Sequence, residues 1–108
     1  MAELIEAMRA AMFIEYNRAA DIHGPRHNSP HEAYAVMLEE YEEHIGYMRN
    51  MVGPDLEELW EHVKHDKPIK QTAEALRDCT LWAAAELIQF AAMAHKATLE
   101  VIRGGSLR

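Results

Sequence analysis

The stretch Ser29-Pro30-His31-Glu32-Ala33-Tyr34-Ala35-Val36-Met37-Leu38-Glu39-Glu40-Tyr41 decides how the rest of the chain is read. Serine stands where a helix N-cap is expected, proline follows at the first helical position, and Glu32 is placed to close a capping box. Downstream, Tyr34, Leu38, Tyr41, Ile45, Met48 and Val52 recur at alternating steps of four and three. That spacing predicts a helix lying along a partner surface. Gly53-Pro54 is the expected end of this helix.

Working outward, glycine and proline divide the chain into four segments, none with strand-like alternation. An all-α fold follows. The first helix is predicted from Ala2 to about Ala20, failing near His23-Gly24-Pro25. Asp55 can cap a short third helix from Leu56 to about His65, which Lys67-Pro68 closes. Thr72 can cap a last helix running to about Arg103, and residues 104–108 read as a frayed Gly-Gly tail. The expectation is a single all-α domain over residues 1–103.

Composition narrows the function classes. The chain has 108 residues, 49% hydrophobic and 27% charged, the balance of one folded domain. With 18 acids against 11 bases the net charge is -7, which disfavours binding to a nucleic-acid backbone. Cys79 is the one cysteine, so neither an internal disulfide nor a paired-thiol metal site is available. No apolar run reaches membrane-span length, and Glu3 and Glu6 stand where a signal peptide would be basic. A cytoplasmic protein with no membrane or nucleic-acid partner is expected.

Two placements of acidic residues call for an explanation. The second helix has another apolar line, Ala33, Val36, Tyr47 and Met51, which Glu40, Glu43 and His44 interrupt. Glu40 and Glu43 are three residues apart and share a face, where they would repel each other without a cation. The last helix is nearly apolar all round, which implies burial in a core or an oligomer interface. Glu86 and Gln89, again three apart, interrupt it. A buried Glu86 requires a cation, a strong donor or a raised pKa. Two helices offering such oxygen pairs can build the hydrated, all-oxygen site that Mg²⁺ prefers. The bland alternatives are a solvated acidic face for the Glu39–Glu43 run and an interface hydrogen bond for Glu86. The seven histidines form no HExxH pattern and have no cysteine partner; most read as surface or capping residues.

The run His27 to Glu40, together with Glu86-Leu87-Ile88-Gln89-Phe90-Ala91-Ala92-Met93-Ala94, resembles the phage-type branch of the MazG-like proteins. These belong to the all-α nucleoside triphosphate pyrophosphohydrolases. The resemblance implies a bundle-like four-helix domain of MazG type, and helices apolar on more than one face in so short a chain imply a homo-dimer or homo-tetramer. It further implies a hydrolase that uses Mg²⁺, or Mn²⁺, to split a nucleoside triphosphate into the monophosphate and pyrophosphate. The family's EExxE motif falls on Glu39, Glu40 and Glu43, with Glu40 and Glu43 as metal ligands and Glu39 as the candidate base. Its ExxD motif falls on Glu86 and Gln89, an amide standing where the family has an aspartate. An internal echo of the acidic run leaves Glu58 and Glu61 as a reserve ligand pair.

Two further residues share the face of Gln89. Lys96, two turns on, is placed to meet a phosphate or to end the helix as a solvated lysine. Trp82, one turn before Glu86, is placed to stack on a base or to fill the core, and filling the core is the favoured reading. The competing class is a non-catalytic nucleotide-binding or helical oligomerisation module.

Overall fold

The computed structural model describes residues 1–99, 102–103 and 106–107. The fold is all-α. Helix α1 spans Ala2–His23, α2 Pro30–Tyr47, α3 Gly53–Lys64 and α4 Lys70–Ala97. A π-helical turn, Met48–Val52, joins α2 to α3. Two-residue strands β1 (Ile102–Arg103) and β2 (Ser106–Leu107) pair antiparallel, Ile102 opposite Leu107 and Arg103 opposite Ser106. Of the tail expected to fray, Gly104, Gly105 and Arg108 lie outside the described residues.

Local chemistry accounts for the helix ends. Gly24 adopts φ 92°, a conformation that costs glycine little, and its N–H closes α1 on the Ala20 carbonyl at 2.8 Å. Ser29 Oγ accepts the Glu32 N–H at 3.0 Å, as the capping box predicts. Glu32 reaches back one residue further than the motif requires, accepting from the Asn28 N–H at 3.2 Å and its Nδ2 at 3.0 Å. At the end of α3, Lys67 N–H bonds His62 O at 2.9 Å and Asp66 N–H bonds Val63 O at 3.2 Å. These two bonds make a Schellman closure with Asp66 in the left-handed position, φ 52°.

Four expected boundaries are corrected. Gly53-Pro54 does not end the second helix: Gly53 bonds back to the Met48 carbonyl, five residues earlier, and the chain continues into α3. The wider π turn admits Pro54, which has no N–H to satisfy in the first turn of a helix. Asp55 does not cap α3, because Val52 takes the N-cap position without a side-chain bond; Asp55 instead accepts the Cys79 thiol at 3.2 Å. Thr72 does not cap α4, which starts at Lys70; its hydroxyl donates to Ile69 O at 2.9 Å. Helix α4 stops at Ala97 and not near Arg103, where Thr98 turns both its N–H and its hydroxyl onto His95 O.

The chain divides into two compact units, Met1–Tyr41 with Leu87–Arg108, and Glu42–Glu86. In the first unit Ala19, Ala33 and Ala92 are the buried apolar residues among those described. His95 of α4 sits edge-on to Phe13 and Tyr16 of α1, with centroids 4.9 and 5.0 Å apart. The Tyr16 hydroxyl donates to Pro25 O at 2.7 Å and ties down the loop that leads into α2. In the second unit Ala83 and Thr72 are the buried residues. Among the described residues, no helix is long and apolar enough to cross a membrane.

Candidate functional site

The first unit contains a cavity of about 460 Å³ lined by Ala19, His23, His27, Asn28, Glu32, Val36, Glu40, Met93 and Lys96. The loop before α2 reaches this wall because Ser29 starts the helix there. Glu40 stands on α2 and Lys96 near the end of α4. Lys96 is only 6% exposed, so the reading of it as a solvated helix-end lysine is excluded. Burying an ammonium is costly without an acceptor for its protons.

Lys96 helps hold the Glu32 carboxyl below its ordinary value, although the hydrogen bonds from Asn28 are the larger cause. His27, 1% exposed, directs Nε2 at the Met93 carbonyl (3.3 Å), which places a proton on that nitrogen. Its Nδ1 lies 4.0 Å from Glu32 Oε1. No local pattern in the sequence marks His27 as buried. Its burial comes from α4, 66 residues along the chain.

Glu39 is exposed and is not among the residues lining the cavity. Gln89 is also exposed, and its side chain lies near Glu15. Glu15 is held below its ordinary value first by Arg18 and then, more weakly, by Gln89. A carboxylate of α1 therefore stands beside the amide of Gln89. Sequence reasoning had no signal for it, since Glu15 reads as one more charge on an amphipathic helix.

In the second unit, Glu43 is exposed. Glu86 Oε1 accepts the Trp82 indole N–H at 2.5 Å, and Oε2 faces His44 Nδ1 at 3.3 Å. The strong donor that a partly buried Glu86 requires is thus present. Trp82 itself is 62% exposed, so the expectation that it fills the core is corrected: its one-turn spacing ties it to Glu86 along the surface of α4. The reserve pair is split. Glu61 is engaged by Lys64 at 2.6 Å, whereas Glu58 lines a cavity of about 180 Å³ with Asp55, His62 and Thr72. His62 and His65 bond the carbonyls of Pro68 and Glu61 at 3.1 and 2.8 Å, in keeping with capping roles.

Among the described residues, no three His, Cys, Asp or Glu side chains converge as a metal cage. A hydrated Mg²⁺ keeps several waters and takes only one or two protein carboxylates together with substrate phosphates. The contacts on Glu86 are of the kind that orient a ligating carboxylate. No protein-family model, curated protein or solved structure matches this chain.

Proposed function

We propose that this chain is a Mg²⁺-dependent nucleoside triphosphate pyrophosphohydrolase. The observation that carries this reading is that Glu40 and Lys96, singled out separately as metal ligand and phosphate contact, line one cavity. Its volume is in the range of small-ligand sites. An acidic chain needs a cation between its carboxylates and a triphosphate, and in the first unit Glu40 on α2 is the residue that would hold it beside the cavity. When bound, Mg²⁺ supplies charge neutralisation at phosphate oxygens and a water of lowered pKa.

The chain's own groups do the rest. Lys96 donates to a phosphate oxygen, and little competing water reaches it in the cavity wall. A carboxylate that is not holding the metal takes the proton of the attacking water. The resemblance assigns this role to Glu39, while Glu32 is the second carboxylate on the wall. The water oxygen bonds to phosphorus, pyrophosphate leaves, and the nucleoside monophosphate remains. A second reading, nucleotide binding without turnover, is favoured by one observation: Gln89 brings no charge to the position where the family carries an aspartate.

The test is a screen of ribo- and deoxyribonucleoside triphosphates with Mg²⁺, in which pyrophosphate is measured separately from phosphate. Pyrophosphate release that falls by about 10²-fold or more in Glu40→Gln supports the proposal. Binding of a triphosphate without release selects the second reading. Neither binding nor release removes both.

A further inference from the structure

One corner of the first unit's cavity wall, His27 with Glu32, turns hydrogen-bond acceptors towards each other. His27 gives its Nε2–H to the Met93 carbonyl at 3.3 Å, so Nδ1 carries a lone pair. The side chain is 1% exposed, and no hydrogen-bond partner reaches Nδ1 among the described residues. Glu32 Oε1 faces it from 4.0 Å, too far for a hydrogen bond. A buried acceptor without a donor is uncommon in a folded chain and marks a place where a donor is expected.

Glu32 is fixed opposite it. The Asn28 N–H bonds Oε1 at 3.2 Å and Asn28 Nδ2 bonds Oε2 at 3.0 Å, which leaves each oxygen further lone pairs to offer. The same bonds hold the carboxyl below its ordinary value, so Glu32 is a weak base towards water and a lasting acceptor of hydrogen bonds. A phosphate has no proton to give this corner and is repelled by the carboxylate. Lys96 on the same wall repels a cationic amine in turn, which leaves a neutral donor. From about 2.9 Å, one donor nitrogen reaches two acceptors 4.0 Å apart with each hydrogen bond bent by less than about 30°. An amino group on an aromatic ring has the two hydrogens this requires. A sugar hydroxyl has one, and leaves the other acceptor bare.

We propose that the His27–Glu32 pair is a base-reading subsite that takes the exocyclic amino group of a nucleobase, so that adenine, cytosine or guanine nucleotides bind in preference to bases without that group. The proposal rests on the nucleotide reading above and names the part of the substrate that this corner receives. Glu32, its side chain 41% exposed, is the open side of the pair, and the base enters along the carboxylate to end against the imidazole.

The test uses ribonucleoside monophosphates in pairs that differ only in the amino group: guanosine against inosine, adenosine against purine riboside, cytidine against pyrimidin-2-one riboside. Calorimetric titration of the full chain reads their binding without turnover. At least one aminated member should bind about 10- to 100-fold tighter than its partner, the worth of one or two hydrogen bonds to a charged or buried acceptor. Within that pair the ratio should fall towards one in Glu32→Gln and in His27→Gln, the second of which keeps a donor for the Met93 carbonyl. Variants that weaken both members alike and keep the wild-type ratio show a merely structural role and overturn the inference. Equal binding of both members of every pair by wild type also overturns it, while the hydrolase reading stands. Deoxyribonucleotide controls that bind more weakly in wild type but not in Glu32→Gln assign the corner to the sugar and overturn it too. Absence of any nucleotide binding removes both readings. The wild-type ratios decide even where a variant fails to fold.

Discussion

Replacing Lys96 with methionine separates the role of this residue in the fold from its role at a ligand. Lys96 is 6% exposed and lines the first unit's cavity, and its pull on Glu32 is the weakest of the influences on that carboxyl. Its ammonium is thus largely out of water with only a modest return. Methionine keeps the length of the apolar stem and removes the charge. Replacing buried charge by apolar groups of similar volume is neutral or stabilising by about 1–4 kcal/mol, and the lower end applies here because Glu32 loses some attraction. Lys96→Met should raise unfolding stability by about 1 kcal/mol, which is roughly 4–8 °C in Tm for a domain of this size. Triphosphate affinity should fall by about 10- to 100-fold, the worth of one or two charge-assisted hydrogen bonds. Urea titration followed by circular dichroism at one fixed protein concentration, beside calorimetric titration with a triphosphate and Mg²⁺, gives both numbers. A variant destabilised by more than about 1 kcal/mol refutes the reasoning, because the ammonium is then satisfied within the fold and is not held for a ligand.

Other outcomes follow from the same geometry. Asp66→Gly should stabilise the chain by about 0.5–1 kcal/mol in thermal melts, since glycine occupies the left-handed closure of α3 at lower cost. Glu32 and Glu15 are both held below their ordinary value of 4.5, so the folded state gains stability above that pH and loses it as pH falls through the lower folded values. Urea titrations between pH 5 and about pH 2 should therefore show a shallower acid limb in Glu32→Gln than in wild type. Mg²⁺ at ten times its Kd should add about 1.4 kcal/mol to stability, an effect that shrinks in Glu40→Gln. Gln89→Asp places a second carboxylate beside Glu15; it should lower Tm without metal and regain the loss with Mg²⁺, and a Tm indifferent to metal removes Gln89 from the site.

Which parts were legible in the sequence depends on the range of the forces involved. The start of α2 at Ser29, the break at Gly24 and the all-helical class rest on hydrogen bonds and spacings within a few residues, and each can be read from the residues alone. The partner that Glu86 requires could be anticipated as well, since a carboxylate set in an apolar run needs a donor wherever the chain folds; which donors, Trp82 and His44, could not. The passage of the helix through Pro54 was hidden because a π turn is a weak local preference settled by the helices on either side. Tertiary structure alone decided that Lys96 and His27 are buried while Trp82 is exposed. Burial is a property of what packs opposite, and for His27 that is Met93, 66 residues away, so no window along the chain contains it. Glu15 beside Gln89 is the same case: a charge on an amphipathic helix gains meaning only from the helix it faces.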